Sequence, residues 1–184
     1  LQAGGRASGS PSAAAPEDNG HMSSYVRAYV PVTSHHLVSA WPAITDVLAF
    51  APDANGRALR SDAGEEAEFT AQMTAAEACL DEALRTGGSR VVIACDIPVL
   101  GTQVRSVGAG LEAFGPFSVD PSRVVSFHID DPEVVAALPD DQEAAAALLR
   151  SSPLLWFDAS EVGDLLEAFA QQPFDGRGDR GLDS

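Results

Sequence analysis

The sequence predicts an α+β fold, a ferredoxin-like split β-α-β sandwich with an additional C-terminal helix. Three observations carry this expectation. Segments of strand and helix character follow the order strand, helix, strand, then strand, helix, strand, helix, as two split units forming an antiparallel sheet with helices on one face would require. A short internal echo marks the two units, since Arg90-Val91-Val92 leads through Asp96 to Pro98 as Arg123-Val124-Val125 leads through Asp130-Asp131 to Pro132. Finally, 184 residues with 45% hydrophobic content suffice for one core. The expected organisation is a single α+β domain at 25–172, a disordered tail or vector-derived segment at 1–24, and a disordered acidic tail at 173–184.

The first 22 residues, rich in glycine, serine, alanine and proline, have too little apolar periodicity to offset the entropy of ordering. Gly20-His21-Met22 has the look of a cloning junction or an internal start, which makes His21 a poor ligand. Tyr25-Val26-Arg27-Ala28-Tyr29-Val30 is the first strand, rich in branched and aromatic residues. Thr33 or Ser34 caps a short helix, and 47–50 fits either helix or strand. A helix is predicted over 63–86, with Phe69, Met73, Ala76, Leu80 and Leu84 on one core-facing stripe. Asp62 and Glu65 have capping-box spacing, and Gly87-Gly88 stops the helix.

Residues 90–97 form a near-continuous apolar run, the pattern of a strand covered on both faces or central in a sheet. Glycines and prolines break up 100–122, with a short strand near 111–114. The next strand spans 124–129, after which Asp131 caps a helix that Pro132 begins. Asp140 or Asp141 caps a helix over 143–150, and 154–157 is a short strand. Asp158 and Glu161 repeat the capping-box spacing before an amphipathic helix carrying Val162, Leu165, Leu166 and Phe169.

The formal charge is -16, from 27 acidic residues against 11 basic ones, all of them arginine. Such a surface opposes phosphate backbones and anionic membranes, so neither nucleic acid nor membrane is an expected partner. No apolar run approaches the roughly 18 residues of a membrane span. A cytoplasmic location is the expectation, and with it Cys79 and Cys95 read as buried thiols rather than a disulfide.

Four groups of residues bear on chemistry. His128-x-Asp130-Asp131 offers an imidazole and carboxylates to a metal, particularly if His35 or His36 lies nearby in space. Along a strand His128 and Asp130 share a face, while Asp131 is taken up by capping. Adjacent His35 and His36 in a first helical turn point about 100° apart, an arrangement that chelates weakly. The strand-end carboxylates Asp96, Asp130, Asp131 and Asp158 can gather for general acid/base or magnesium chemistry, but such junctions also select aspartate for capping alone. No nucleophile, phosphate loop or basic anchor accompanies them, so capping is the preferred account. Gly108-Ala109-Gly110-Leu111-Glu112-Ala113 matches a dinucleotide fingerprint, yet Gly115-Pro116 interrupts the helix that this motif needs. Arg177-Gly178-Asp179 reproduces an adhesion tripeptide, in a tail where chance explains it.

Four segments, Arg27-Ala28-Tyr29-Val30-Pro31-Val32-Thr33, residues 66–73 with Thr74-Ala75-Ala76, His128-Ile129-Asp130-Asp131, and Leu154-Leu155-Trp156-Phe157-Asp158, span about 25–170. Together they resemble a family of uncharacterised actinobacterial proteins. The resemblance implies no assigned activity and no catalytic residue.

The expected role is a non-enzymatic α+β module acting through a protein partner or homo-oligomerisation, without a cofactor. One alternative is a small metal-dependent hydrolase, with His128, Asp130, Asp96 and Asp158 as catalytic candidates and His128, Asp130, His35 and His36 as metal candidates. A second is a small-ligand-sensing domain.

Overall fold

The structure, a computed structural model, describes residues 24–171. The expected tails, His21 and Arg177-Gly178-Asp179 lie outside the described residues, apart from Ser24.

Strand β1 (Tyr25–Thr33) is followed by helix α1 (Ser34–Ala40), which Thr33 caps by accepting the His36 N–H at 3.2 Å. The ambiguous segment is strand β2 (Val47–Pro52). Helices α2 (Ala54–Ala58), α3 (Asp62–Ala78) and α4 (Leu80–Thr86) lead to β3 (Arg90–Pro98). Strands β4 (Val104–Gly108) and β5 (Leu111–Phe117) precede β6 (Val124–Asp130). The chain continues through α5 (Pro132–Ala136), α6 (Gln142–Ser151), β7 (Leu154–Asp158) and α7 (Val162–Ala170). All seven strands form one sheet in the order β4-β5-β2-β1-β3-β6-β7, every neighbouring pair antiparallel.

The mixed α+β character agrees with the sequence, and the arrangement differs from the expected sandwich. Both β2 and β3 run antiparallel to β1 and flank it, so the connection through α3 makes one split β-α-β unit. Neither expected unit forms as the sequence suggests: β1 and β3 pair directly and antiparallel, as do β6 and β7, and the split unit that is present starts from β2. Helices also cover both faces. One face carries Tyr29, Val92, Ala94 and Leu111 under α3, and the other packs Val30, Ile93 and Phe127 with Leu37 of α1 and Leu165 and Phe169 of α7. The first six residues of β3 are all buried, so its two apolar faces both require cover.

The long predicted helix is interrupted at Cys79, where φ is -105° and ψ is 3°. The interruption lets Leu80 join Ala146 and Leu149 of α6 in a separate cluster while α3 stays on the sheet. The buried face of α3 consists of Ala71, Ala75 and Ala76; Phe69 is 59% exposed, against the expectation that it is core. Small residues let the helix approach a sheet face that already supplies the bulk of Tyr29, Phe50 and Leu154. Ser61 holds the N-cap position without a side-chain bond, so the expected Asp62/Glu65 capping box is absent, although both acids occupy the first turn where the helix dipole favours them.

The apparent dinucleotide fingerprint is the β4-β5 turn. Gly108, Ala109 and Gly110 have φ of 86°, 53° and 73°, and Leu111 begins a strand instead of a helix. The other capping expectations hold. Asp131 accepts the Glu133 N–H at 2.8 Å, Asp141 caps α6, and Asp158 with Glu161 forms a complete capping box. Cys79 and Cys95 are free and buried, each thiol pushed up to about 12 by burial.

Candidate functional site

Asp130 ends β6 directly beside Arg90, which opens β3. Its Oδ1 accepts from Arg90 Nη2 at 2.7 Å and Nε at 3.0 Å, and its Oδ2 accepts the Arg90 backbone N–H at 2.7 Å. Arg90 Nη2 also donates to the Leu149 carbonyl at 2.5 Å, tying α6 to the two strands. Both side chains are 1% exposed, so the carboxylate is a buried clamp with its acceptor sites committed to the arginine. In the sequence Arg90 stands out only as part of the internal echo and not as a site residue. Its one further signal is a charged residue opening the most apolar strand in the chain.

His128 shares the sheet face of Asp130 and lies opposite Trp156 in the β6-β7 register. Its ring meets Tyr29 edge-on, with centroids 6.4 Å apart and an interplanar angle of 67°. Its Nε2 lies 3.1 Å from Ser126 Oγ. This serine–histidine contact, with i, i+2 spacing on one strand face, also escaped the sequence reading. Nucleophilic catalysis needs access and a third group orienting the base. Ser126 is 3% exposed, and neither residue lines any of the three principal clefts. The Tyr29 hydroxyl that shares the face donates to Glu68 Oε2 at 3.2 Å, and burial together with that carboxylate pushes the tyrosine pKa up.

Burial holds His128 below its ordinary pKa. As pH falls through the unfolded value of about 6.5, the unfolded chain gains a proton that the folded chain resists, so the folded state loses stability until its own lower pKa is reached. Urea midpoints are expected to fall between about pH 7.5 and 5.5, and the fall is expected to shrink in His128→Gln. Equal falls in the two proteins would rule out His128 as the source.

The remaining candidates occupy separate local arrangements. Asp96 pairs with Arg27, at 2.8 Å between Oδ1 and Nε. Asp158 caps the turn at Ser160, whose hydroxyl and N–H hold its carboxyl below the usual range. His35 and His36 line an open cleft of about 580 Å³ between α1 and the α3-α4 junction, with Cys79, Glu82 and Thr86 on its other side. Among the described residues, no group of three or more histidine, cysteine, aspartate or glutamate side chains is placed to hold a metal ion.

Two surface features stand apart from these candidates. Trp156 is 59% exposed at the centre of β7, an outermost strand that pairs only with β6 among the described residues. At another corner, Arg27, Arg57 and Arg60 line one cleft. A tryptophan on a short strand is visible in sequence, but which strand forms an edge is not.

The sequence model of a family of unknown function, DUF6912, matches residues 26–166. No curated protein and no solved structure matches the chain. Among the described residues, no helix is long and apolar enough to cross a membrane.

Proposed function

Since the chain belongs to a family of unknown function, DUF6912, we propose its role from its own surface: a non-enzymatic module acting through protein contacts, with β7 as the contact edge and a second copy as its occupant. The observation that carries this reading is Trp156, 59% exposed on an edge strand. Proteins ordinarily protect such edges with charges, bulges or prolines. The opposite edge, β4, has that protection in Arg105 and an irregularity between Ser106 and Gly108. Strand β7 reads Leu154-Leu155-Trp156-Phe157-Asp158, with no charge before its last residue and regular pairing to β6.

The strand suits two-fold pairing. In an antiparallel pair centred on Trp156, the two tryptophans meet, Leu155 faces Phe157 of the partner subunit, and each Asp158 faces a leucine instead of another carboxylate. Further support comes from the alternative chemistry, because Asp130, Asp96 and Asp158 are each engaged with local partners. The charge of -16 per chain opposes association at low ionic strength, and salt screens that repulsion.

Analytical ultracentrifugation is expected to show a monomer–dimer equilibrium that tightens as salt rises. Trp156→Lys, a change at an exposed position, is expected to weaken the dimer by at least about tenfold with the fold intact. A wild-type monomer at every concentration and salt level, or an undiminished dimer in the variant, would refute the reading.

A further inference from the structure

Where β1 begins and α2 leads into α3, the surface holds a cleft of about 250 Å³, more enclosed than the two larger ones. Arg27, Arg57 and Arg60 line it, and Glu68 is the single carboxylate of the lining. Arg123 adds a fourth guanidinium nearby, stacked 3.8 Å above the ring of Tyr25 at the same cleft. Asp96, Glu112 and Asp120 pair with Arg27, Arg57 and Arg123, so Arg60 brings the one guanidinium of the four without a carboxylate partner among the described residues.

Two of the guanidiniums are fixed in place by contacts that leave donors available. Arg27 Nε donates to Asp96 Oδ1 at 2.8 Å and Nη2 to Oδ2 at 3.4 Å, while Arg57 Nη1 donates to Glu112 Oε2 at 2.8 Å and to the Pro52 carbonyl. Arginine carries five N–H donors, so Nη1 of Arg27 and Nε and Nη2 of Arg57 have no protein acceptor among the described residues. Arg60 is exposed and makes no hydrogen bond or ion pair there. The carboxylates an anion would meet are Glu68, which accepts the Tyr29 hydroxyl, and Asp96 and Glu112, which are held by Arg27 and Arg57. Gly64, in the first turn of α3, also lines the cleft, and Ser61 supplies that helix with no side-chain cap.

We propose that this cleft binds a small phosphate, either the inorganic ion or the terminal group of a small phosphomonoester. Three guanidiniums suit an anion with three or more acceptor oxygens better than a carboxylate with two. The volume of about 250 Å³ has room for one phosphate group. The acidic remainder of the surface repels extended polyanions.

Calorimetric titration of the full chain with inorganic phosphate and, in a second arm, glycerol phosphate tests this, with ionic strength held constant by chloride. Saturable binding at one site per chain is expected. Arg60→Ala is expected to weaken it by at least about tenfold, the loss of one charge-assisted contact. Arg60→Lys is expected to retain part of the affinity, and Arg85→Ala, at an exposed arginine on α4, all of it. Tighter binding of the ester assigns the ester as ligand, and tighter binding of phosphate assigns the free ion. Absence of saturable binding of both anions, or equal effects of Arg60→Ala and Arg85→Ala, overturns the proposal.

Discussion

Asp130→Ala is expected to cost about 3–5 kcal/mol of folding stability, the range for breaking a buried ion pair by removing one partner. The substitution leaves the Arg90 guanidinium, 1% exposed, with the Leu149 carbonyl at 2.5 Å as its remaining acceptor among the described residues. It also strips the Arg90 backbone N–H of its 2.7 Å acceptor. The cost arises from an uncompensated buried charge, so replacing both partners with apolar residues, as in Arg90→Met with Asp130→Leu, is expected to recover much of the loss. The half-exposed Arg27–Asp96 pair is the contrast: solvent screens it, and Arg27→Ala is expected to cost less than about 1 kcal/mol. Urea unfolding of the four proteins, wild type included, checks the ordering. An Asp130→Ala midpoint equal to that of wild type would show that the clamp carries no stability.

Phe127→Ala is expected to cost a similar amount, about 3–5 kcal/mol, through lost apolar burial and the cavity left behind. Phe127 is 0% exposed, pairs with Ile93 across the sheet, and meets Trp41 edge-on with centroids 5.6 Å apart. Phe69→Ser, by contrast, alters a side chain that is 59% exposed, and its effect is expected to stay within about 0.5 kcal/mol. The two phenylalanines are alike in composition terms and both sit in periodic segments. Thermal or urea midpoints of the two variants distinguish them, and comparable losses would contradict the packing of α3 on its alanine face.

Much of this fold is legible wherever the determining interactions are local. Thr33, Asp131, Asp141 and Asp158 all cap as their positions suggest, because a cap bonds an N–H two or three residues away. Strand β3 is recognisable from its apolar run, and Gly87 ends α4 with φ of 69°. The buried stripe of α3 differs from the expected one because periodicity gives weight to Phe69 and Met73, while the close approach of helix to sheet is made by alanines. Strand β4 has no counterpart in the sequence expectation, because all five of its residues are exposed and leave no apolar alternation to read.

The candidate site was legible to a smaller extent. Sequence singles out His128 and Asp130, and their shared strand face follows from a period of two. What each carboxylate faces depends on the sheet register, which brings Arg90 to Asp130 across 40 residues and Arg27 to Asp96 across 69. The α+β character, most of the caps, the buried thiols and the acidic composition can all be read along the chain, since they follow from nearest neighbours and residue content. Long-range contacts are what place helices on both faces, make Asp130 a clamp, set β7 at the edge of the sheet among the described residues and bring arginines from β1, α2 and the α2-α3 connection to one cleft. Those outcomes depend on strand order and register, which are settled by contacts between residues distant along the chain.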